Sequence, residues 1–250
     1  MKTKHYYVFK EETQNRMNNN SLNQTNWEVL RCSEKDPAFC LEKSQEDYEK
    51  NCKKLTTYEK SAQEILKILD RNKLNRKKII SLGAGKGILE WHLKKQSPTL
   101  IVECTDYTEM AIKQLKQVFK TVDNVYSFDM INGDYIDLDT SALFLMYRVS
   151  TEFDIDSWYQ IFSKMYDAEI EYVMYVPTEL ASIKLMLKEV ASHIVNLFLG
   201  RKDTFCGWLY SESEFIKIFH NKTPNPLYHI QERVLFDNSA IFLLKRNSNT

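Results

Sequence analysis

Three of the chain's six glycines fall within five residues, Gly83, Gly85 and Gly87, directly after the apolar run Lys78-Ile79-Ile80-Ser81-Leu82. Glycine is otherwise scarce against a usual share of roughly 7%, so the cluster marks backbone that turns sharply and lies close to something bulky. The next segment, Ile88-Leu89-Glu90-Trp91-His92-Leu93, carries apolar residues at helical spacing, and the whole reads as strand, glycine loop and helix. Such a loop offers free backbone N–H groups to a nucleotide-like ligand. A tight packing turn without a ligand is the competing explanation.

From position 77 onward, apolar runs suited to strands alternate with amphipathic stretches. Strands are predicted near 77–82, 99–104, 124–129, 142–147 and 170–176, and helices near 87–96, 108–120, 155–166 and 179–199. That alternation predicts an α/β fold, a Rossmann-like doubly wound and mostly parallel sheet covered on both faces. A helix near 212–220 and two strands, about 228–235 and 239–246, follow. Asp237-Asn238-Ser239 reads as their turn, so an antiparallel hairpin closes one edge. The stretch 179–199 is read as a core-packing helix. Its apolar run Leu185 to Leu199, flanked by Lys184, Lys188, Arg201 and Lys202, keeps a membrane surface or a partner as the alternative.

Residues 1–74 read as an N-terminal extension and 75–250 as the main domain. The Asn- and Gln-rich stretch 14–26 has no apolar period and is predicted as loop. Between Ser44 and Leu74 the period is helical, giving one or two helices. With 43% hydrophobic residues the chain can bury a substantial core. Its 34 basic and 34 acidic residues balance and are dispersed, which disfavours a nucleic-acid partner. Met1 to Lys10 lacks the apolar core of a signal peptide and no stretch has the length of a membrane span, so the predicted setting is cytoplasmic. Five cysteines without a C-x-x-C pair point to reduced thiols and no zinc site.

In open α/β sheets ligands lie beyond the carboxyl ends of the strands. There the second strand runs into Thr105-Asp106-Tyr107, and Asp106 is placed to grip the hydroxyls of a ribose, with Glu103 as the rival acid inside the strand. After the third strand comes Asn132-Gly133-Asp134-Tyr135, whose Asp134 could accept from an adenine amino group. The glycines miss the strict G-x-G-x-x-G dinucleotide spacing, because position 88 is Ile. At these residues the chain resembles the class I S-adenosylmethionine-dependent methyltransferases across roughly Lys77 to Arg246. SLGAGKG (81–87) is similar to that family's glycine motif, ECTDYT (103–108) to its ribose motif and INGDYIDL (131–138) to its adenine motif.

The resemblance implies a seven-stranded sheet with a C-terminal hairpin, S-adenosylmethionine as cofactor and S-adenosylhomocysteine as product. It also implies a cofactor site made of Ser81, Gly83, Ala84, Gly85, Gly87, Asp106, Tyr107, Asp134 and Tyr135. Ser81 stands where the family usually has Asp or Glu, and Tyr58 of the preceding helices is a candidate to help hold the donor's amino-acid end. Tyr147 to Asp154 follows the fourth strand and is predicted as the catalytic loop, with Glu152 as base and Tyr147 and Arg148 positioning the acceptor. Capping of the next helix by Ser150, Thr151 or Asp154 is the alternative role for that loop. The acceptor is expected to be a small molecule or a sugar, methylated at oxygen. Phe205-Cys206-Gly207-Trp208-Leu209-Tyr210 either stacks on it or belongs to the core. Residues 1–74 would cover the site. Competing functions are a non-catalytic S-adenosylmethionine-binding regulator or scaffold and, last, a nicotinamide-dependent oxidoreductase.

Overall fold

The computed structural model describes residues 3–18, 21, 23–33, 40–75, 77–220, 226–236 and 239–248. Its first elements are a short strand, β1 (Thr3–Tyr7), and four helices: α1 (Glu11–Arg16), α2 (Gln24–Ser33), α3 (Gln45–Lys54) and α4 (Thr56–Arg71). The alternating part follows as β2 (Ile79–Leu82), α5 (Ile88–Gln96), β3 (Val102–Asp106), α6 (Glu109–Val118), β4 (Asn124–Ser127), β5 (Leu143–Tyr147), α7 (Ile155–Asp167) and β6 (Tyr172–Val176). Then come α8 (Ile183–Phe198), β7 (Thr204–Leu209), α9 (Glu212–His220), β8 (Tyr228–Phe236) and β9 (Ser239–Arg246).

Seven strands form one sheet in the order β4-β3-β2-β5-β6-β9-β8. Neighbours from β4 to β6 run parallel, while β9 lies antiparallel between β6 and β8. The predicted hairpin is therefore present; Asp237 and Asn238 of its turn lie outside the described residues. The order reverses beside β2, and that switch point places the exits of β2, β3 and β5 around one crevice.

Strand periodicity sorts the core into two layers. Ile80, Leu82, Phe144 and Met146 point to one face, where Trp158 and Phe162 of α7 and Phe215 and Phe219 of α9 cover them. Ile79, Leu143, Leu145 and Met174 point to the other, under Ile65 and Leu69 of α4 and Leu89 and Leu93 of α5. Each such fully buried side chain contributes roughly 1.5–3 kcal/mol. The helix α4 thus shares one core with β2, and the expected boundary at 74/75 cuts through that core.

Two sequence expectations are corrected, and one strand pair is new. Part of the stretch 14–26 is helical, in α1 and α2, because Leu30 of α2 joins Phe9 and Cys206 in a small apolar cluster flanked by Trp27 and Met17. Residues Thr3–Tyr7 pair antiparallel with β7 as a separate two-stranded sheet, from Thr3↔Leu209 to Tyr7↔Thr204. The helix α8 has no buried residue, so the core-packing reading of 179–199 fails.

Candidate functional site

The glycine loop takes its shape from three left-handed residues, at φ 68, 59 and 65° for Gly83, Gly85 and Gly87. A Cβ on Gly87 would meet Leu115 Cδ2 at 2.7 Å, so α5 and α6 approach closely only without a side chain there. A segment before α4 braces the loop. The Tyr48 hydroxyl donates to the Gly87 carbonyl at 3.0 Å, and Lys86 is ion-paired with Glu42 at 2.5 Å with both side chains buried.

Above the loop lies a cavity of about 900 Å³, lined by Gly83, Ala84, Gly85, Asp106, Tyr107, Tyr147, Arg148, Glu152 and Tyr58 among the predicted site residues. Asp106, buried at the exit of β3, accepts the Gly85 N–H at 2.9 Å and the Thr108 N–H and hydroxyl at 2.8 and 2.6 Å. The rival Glu103 points elsewhere, accepting from Tyr126 at 3.1 Å and pairing with Lys78 at 3.2 Å.

Four predicted residues sit differently, Gly87 among them, which packs against Leu115 and Phe119 and is not among the cavity-lining residues. Asp134 is not among the cavity-lining residues; it starts a short 3-10 turn, Tyr135–Asp137, and accepts the Ile136 N–H at 3.2 Å. Tyr135 is buried, its hydroxyl donating to the Met130 carbonyl at 2.9 Å. The cavity wall after β4 is instead Phe128, Asp129 and Met130, because β4 ends at Ser127 rather than 129. Asp129 accepts the Ile131 and Asn132 N–H groups at 2.8 and 3.2 Å, which together with the Asn132 amide hold its carboxyl below the usual range. Ser81 is buried and does not line the cavity.

The acid missing at position 81 arrives from the neighbouring helix. Ser81 donates its hydroxyl to Glu90 Oε1 at 2.5 Å, and Glu90 is both buried and cavity-lining. Burial pushes its carboxyl up to about 7, with the Ser81 bond opposing the rise. On the same side Tyr58 and Tyr147 pack with ring centroids 5.5 Å apart, and the Tyr147 and Ser61 hydroxyls are 3.0 Å apart. Arg148 holds its guanidinium 5.9 Å from the Tyr58 ring centre. A carboxylate, a guanidinium and two phenols thus surround one end of the cavity. Sequence reasoning missed Glu90; its position in the first turn of α5, between Leu89 and Trp91, was the available signal.

At the other end stands Glu152. Asp154 caps α7 by accepting the Ser157 N–H at 2.8 Å, so capping falls to Asp154 and leaves Glu152 facing the cavity. Glu152 accepts the Trp27 indole N–H at 2.9 Å. Desolvation raises its carboxyl to about 7, the Trp27 bond opposing and the nearby Asp106 charge adding. The same helix α2 touches two more site residues: Gln24 donates to the Tyr107 carbonyl at 2.8 Å and Arg31 lies 3.8 Å from Asp106. Arg31 Nε is buried without a hydrogen-bond partner. The β1–β7 sheet closes the remaining side. A Cβ on Gly207 would fall 1.6 Å from the Thr151 carbonyl oxygen, and Trp208 N–H donates to that oxygen at 3.1 Å. Of the aromatic segment 205–210, Trp208 lines the cavity, whereas Tyr210 is core and donates to the Phe153 carbonyl at 2.8 Å.

Residues 56–141, from α4 to the start of β5, match the family model of the methyltransferase small domain. Among solved structures, the fold is similar to magnesium protoporphyrin IX methyltransferase from Synechocystis PCC 6803 with bound S-adenosylhomocysteine, at TM-score 0.55 and 15% identity over 77% of this chain and 84% of that one. It is also similar to mitomycin 7-O-methyltransferase, at TM-score 0.50 and 17% identity over 69% of this chain and 49% of that one. A third likeness is an O-methyltransferase family 2 protein from Planctomyces limnophilus DSM 3776 in complex with apigenin, at TM-score 0.50 and 16% identity over 68% of this chain and 51% of that one. The chain spans about half the length of these last two. No curated protein matches by sequence. Residues 56–141 thus carry a methyltransferase family match, and the chain has the fold of these methyltransferase structures. Magnesium protoporphyrin IX methyltransferase binds S-adenosylhomocysteine in one solved structure and S-adenosylmethionine in another. Among the described residues, no helix is long and apolar enough to cross a membrane.

Proposed function

We propose that the chain methylates a hydroxyl of a small-molecule or sugar acceptor, with Glu152 as the general base. The observation that carries this reading is the Glu152 carboxyl, cavity-facing, held by the Trp27 indole and poised at about 7. A base with that affinity for protons is half ionised at neutral pH, where proton transfer is most effective. An oxygen acceptor has a proton to lose.

The cavity residues fit the donor. Asp106 and the Gly85 region suit the ribose, Asp129 the adenine amino group and Glu90 with Arg148 the ammonium and carboxylate of the amino-acid end. Arg31 Nε, buried and unpartnered, adds a hydrogen-bond donor for a hydroxyl or carboxylate. When bound, S-adenosylmethionine supplies an electrophilic methyl group for in-line displacement. The protein's part is orientation and closeness; Tyr147 and Arg148, expected to orient the acceptor, lie instead with Tyr58 at the donor's amino-acid end. Phe128, Phe153 and Trp208 give the acceptor end aromatic walls suited to a flat ring or a sugar face. The segment before β2 acts as a cover: α2 holds Trp27 and Arg31 over the crevice and excludes water.

The uncharged Ser81 would favour a non-catalytic donor-binding role; against it, Glu90 brings a carboxyl beside Ser81. The deciding experiment measures S-adenosylhomocysteine release over a panel of phenols, sugars and amines, for the wild type and Glu152→Gln. Turnover on hydroxyl acceptors that Glu152→Gln loses while donor affinity stays constant supports the proposal. Turnover confined to amines, or unaffected by the substitution, refutes it.

A further inference from the structure

The helix α8 is amphipathic the wrong way round for a water-facing element. Ile183, Leu187, Val190, Ile194 and Leu197 recur at intervals of four and three residues and form one stripe, and all are exposed, Ile183 at 79% and Leu187 at 66%. Phe198 at the end of the stripe is 87% exposed. The half-buried side that meets the protein carries Leu185 and Met186 in the first turn and the polar Glu189, His193 and Asn196 beyond it. Glu189 pairs with His5 at 3.1 Å, His193 pairs with Asp203 at 3.0 Å and stacks on Tyr6 with centroids 4.4 Å apart. A soluble amphipathic helix turns its apolar stripe inward; this one is held through Glu189 and His193 and leaves the stripe outward.

Charge decides what the stripe meets. Between Ile183 and Lys202 the cations Lys184, Lys188, Arg201 and Lys202 are all exposed, while the one acid, Glu189, is engaged by His5. The chain as a whole is neutral, so this excess is local. A second copy packed on the stripe would bring two cationic flanks together with no carboxylate between them. An anionic lipid surface takes the apolar side chains among its acyl chains and the cations among its headgroups. The helix has 16 residues, roughly 24 Å, and so lies along the surface rather than across it.

We propose that α8 docks this protein, peripherally and reversibly, on an anionic membrane surface. Vesicle flotation tests it on the full chain, with phosphatidylcholine alone and with phosphatidylcholine containing phosphatidylglycerol, at low and high salt. The wild type is expected to float with the anionic vesicles and to release in high salt. Lys184→Gln with Lys188→Gln should weaken that partition by roughly thirty-fold, the share of two surface cations. Leu187→Ser with Phe198→Ser should abolish it. These side chains are exposed, so the variants should keep the wild-type melting temperature and S-adenosylhomocysteine affinity, which excludes misfolding as the cause. Failure of the well-folded wild type to float with anionic vesicles at low salt overturns the proposal. So does a dimer in sedimentation equilibrium that Leu187→Ser with Phe198→Ser dissociates, because the stripe would then be covered by a second copy.

Discussion

Replacing Glu90 by Gln separates what this carboxyl costs the fold from what it contributes to the donor. Burial raises its pKa from 4.5 to about 7, so the folded chain holds the proton more tightly than the unfolded one. Stability from this group is therefore complete below pH 4.5, falls as pH rises toward 7 and is lost above it. The shift corresponds to about 3 kcal/mol at pH 8. Gln keeps an acceptor for the Ser81 hydroxyl and has no charge to desolvate, so Glu90→Gln should melt higher than the wild type at pH 8 and equally at pH 4. Binding should move the other way. If only the ionised carboxylate holds the donor's ammonium, the wild type binds S-adenosylhomocysteine roughly tenfold more weakly at pH 6 than at pH 8, about 1.4 kcal/mol. The variant should bind weakly at both, without that slope. Calorimetric titration at pH 6, 7 and 8, paired with thermal melts, reads both quantities. Wild-type affinity in the variant at pH 8 would refute the assignment of Glu90 to the ammonium, and an unchanged melting temperature there would refute the desolvation cost.

Glu152→Gln should lower kcat by roughly 10²–10⁴ and remove a rise in rate centred near pH 7, measured as a pH–rate profile. Asp129→Ala should weaken donor binding by about tenfold in titration, whereas Asp134→Ala should leave it unchanged and cost about 1 kcal/mol of stability through the lost turn cap. Gly87→Ala combines a left-handed backbone with a Cβ 2.7 Å from Leu115, and should cost about 3 kcal/mol, seen as a melting point lowered by roughly 6–12 °C.

The parallel sheet was legible because most of its strands are short, mainly apolar runs bounded by turns. Asp106 was legible for the same reason: it ends such a run. Asp134 was a misplacement by one turn. Val125 ends the apolar part of β4 early, Ser127 and Phe128 blur its exit, and Asn132-Gly133 attracted the turn that Asp129 had already begun. Glu90 was hidden because the acid was sought on the strand at position 81, while the fold delivers it from the following helix through a contact nine residues away. Nothing local announces β1: its partner β7 is about two hundred residues distant, and after the buried Thr3 its residues are exposed or half-buried with no alternation. The stripe on α8 was visible as a period, but a period does not say which way a helix is turned; His5, Tyr6 and Asp203 decide that from outside the helix.

The pairing of Thr3 with Leu209 also bears on the order in which the molecule assembles. Contacts between residues so far apart carry a large loop-closure entropy and form late. The central sheet can collapse on its own helices first, leaving the crevice open until β1 meets β7, so refolding followed by a Trp208 fluorescence signal should lag behind recovery of far-ultraviolet dichroism.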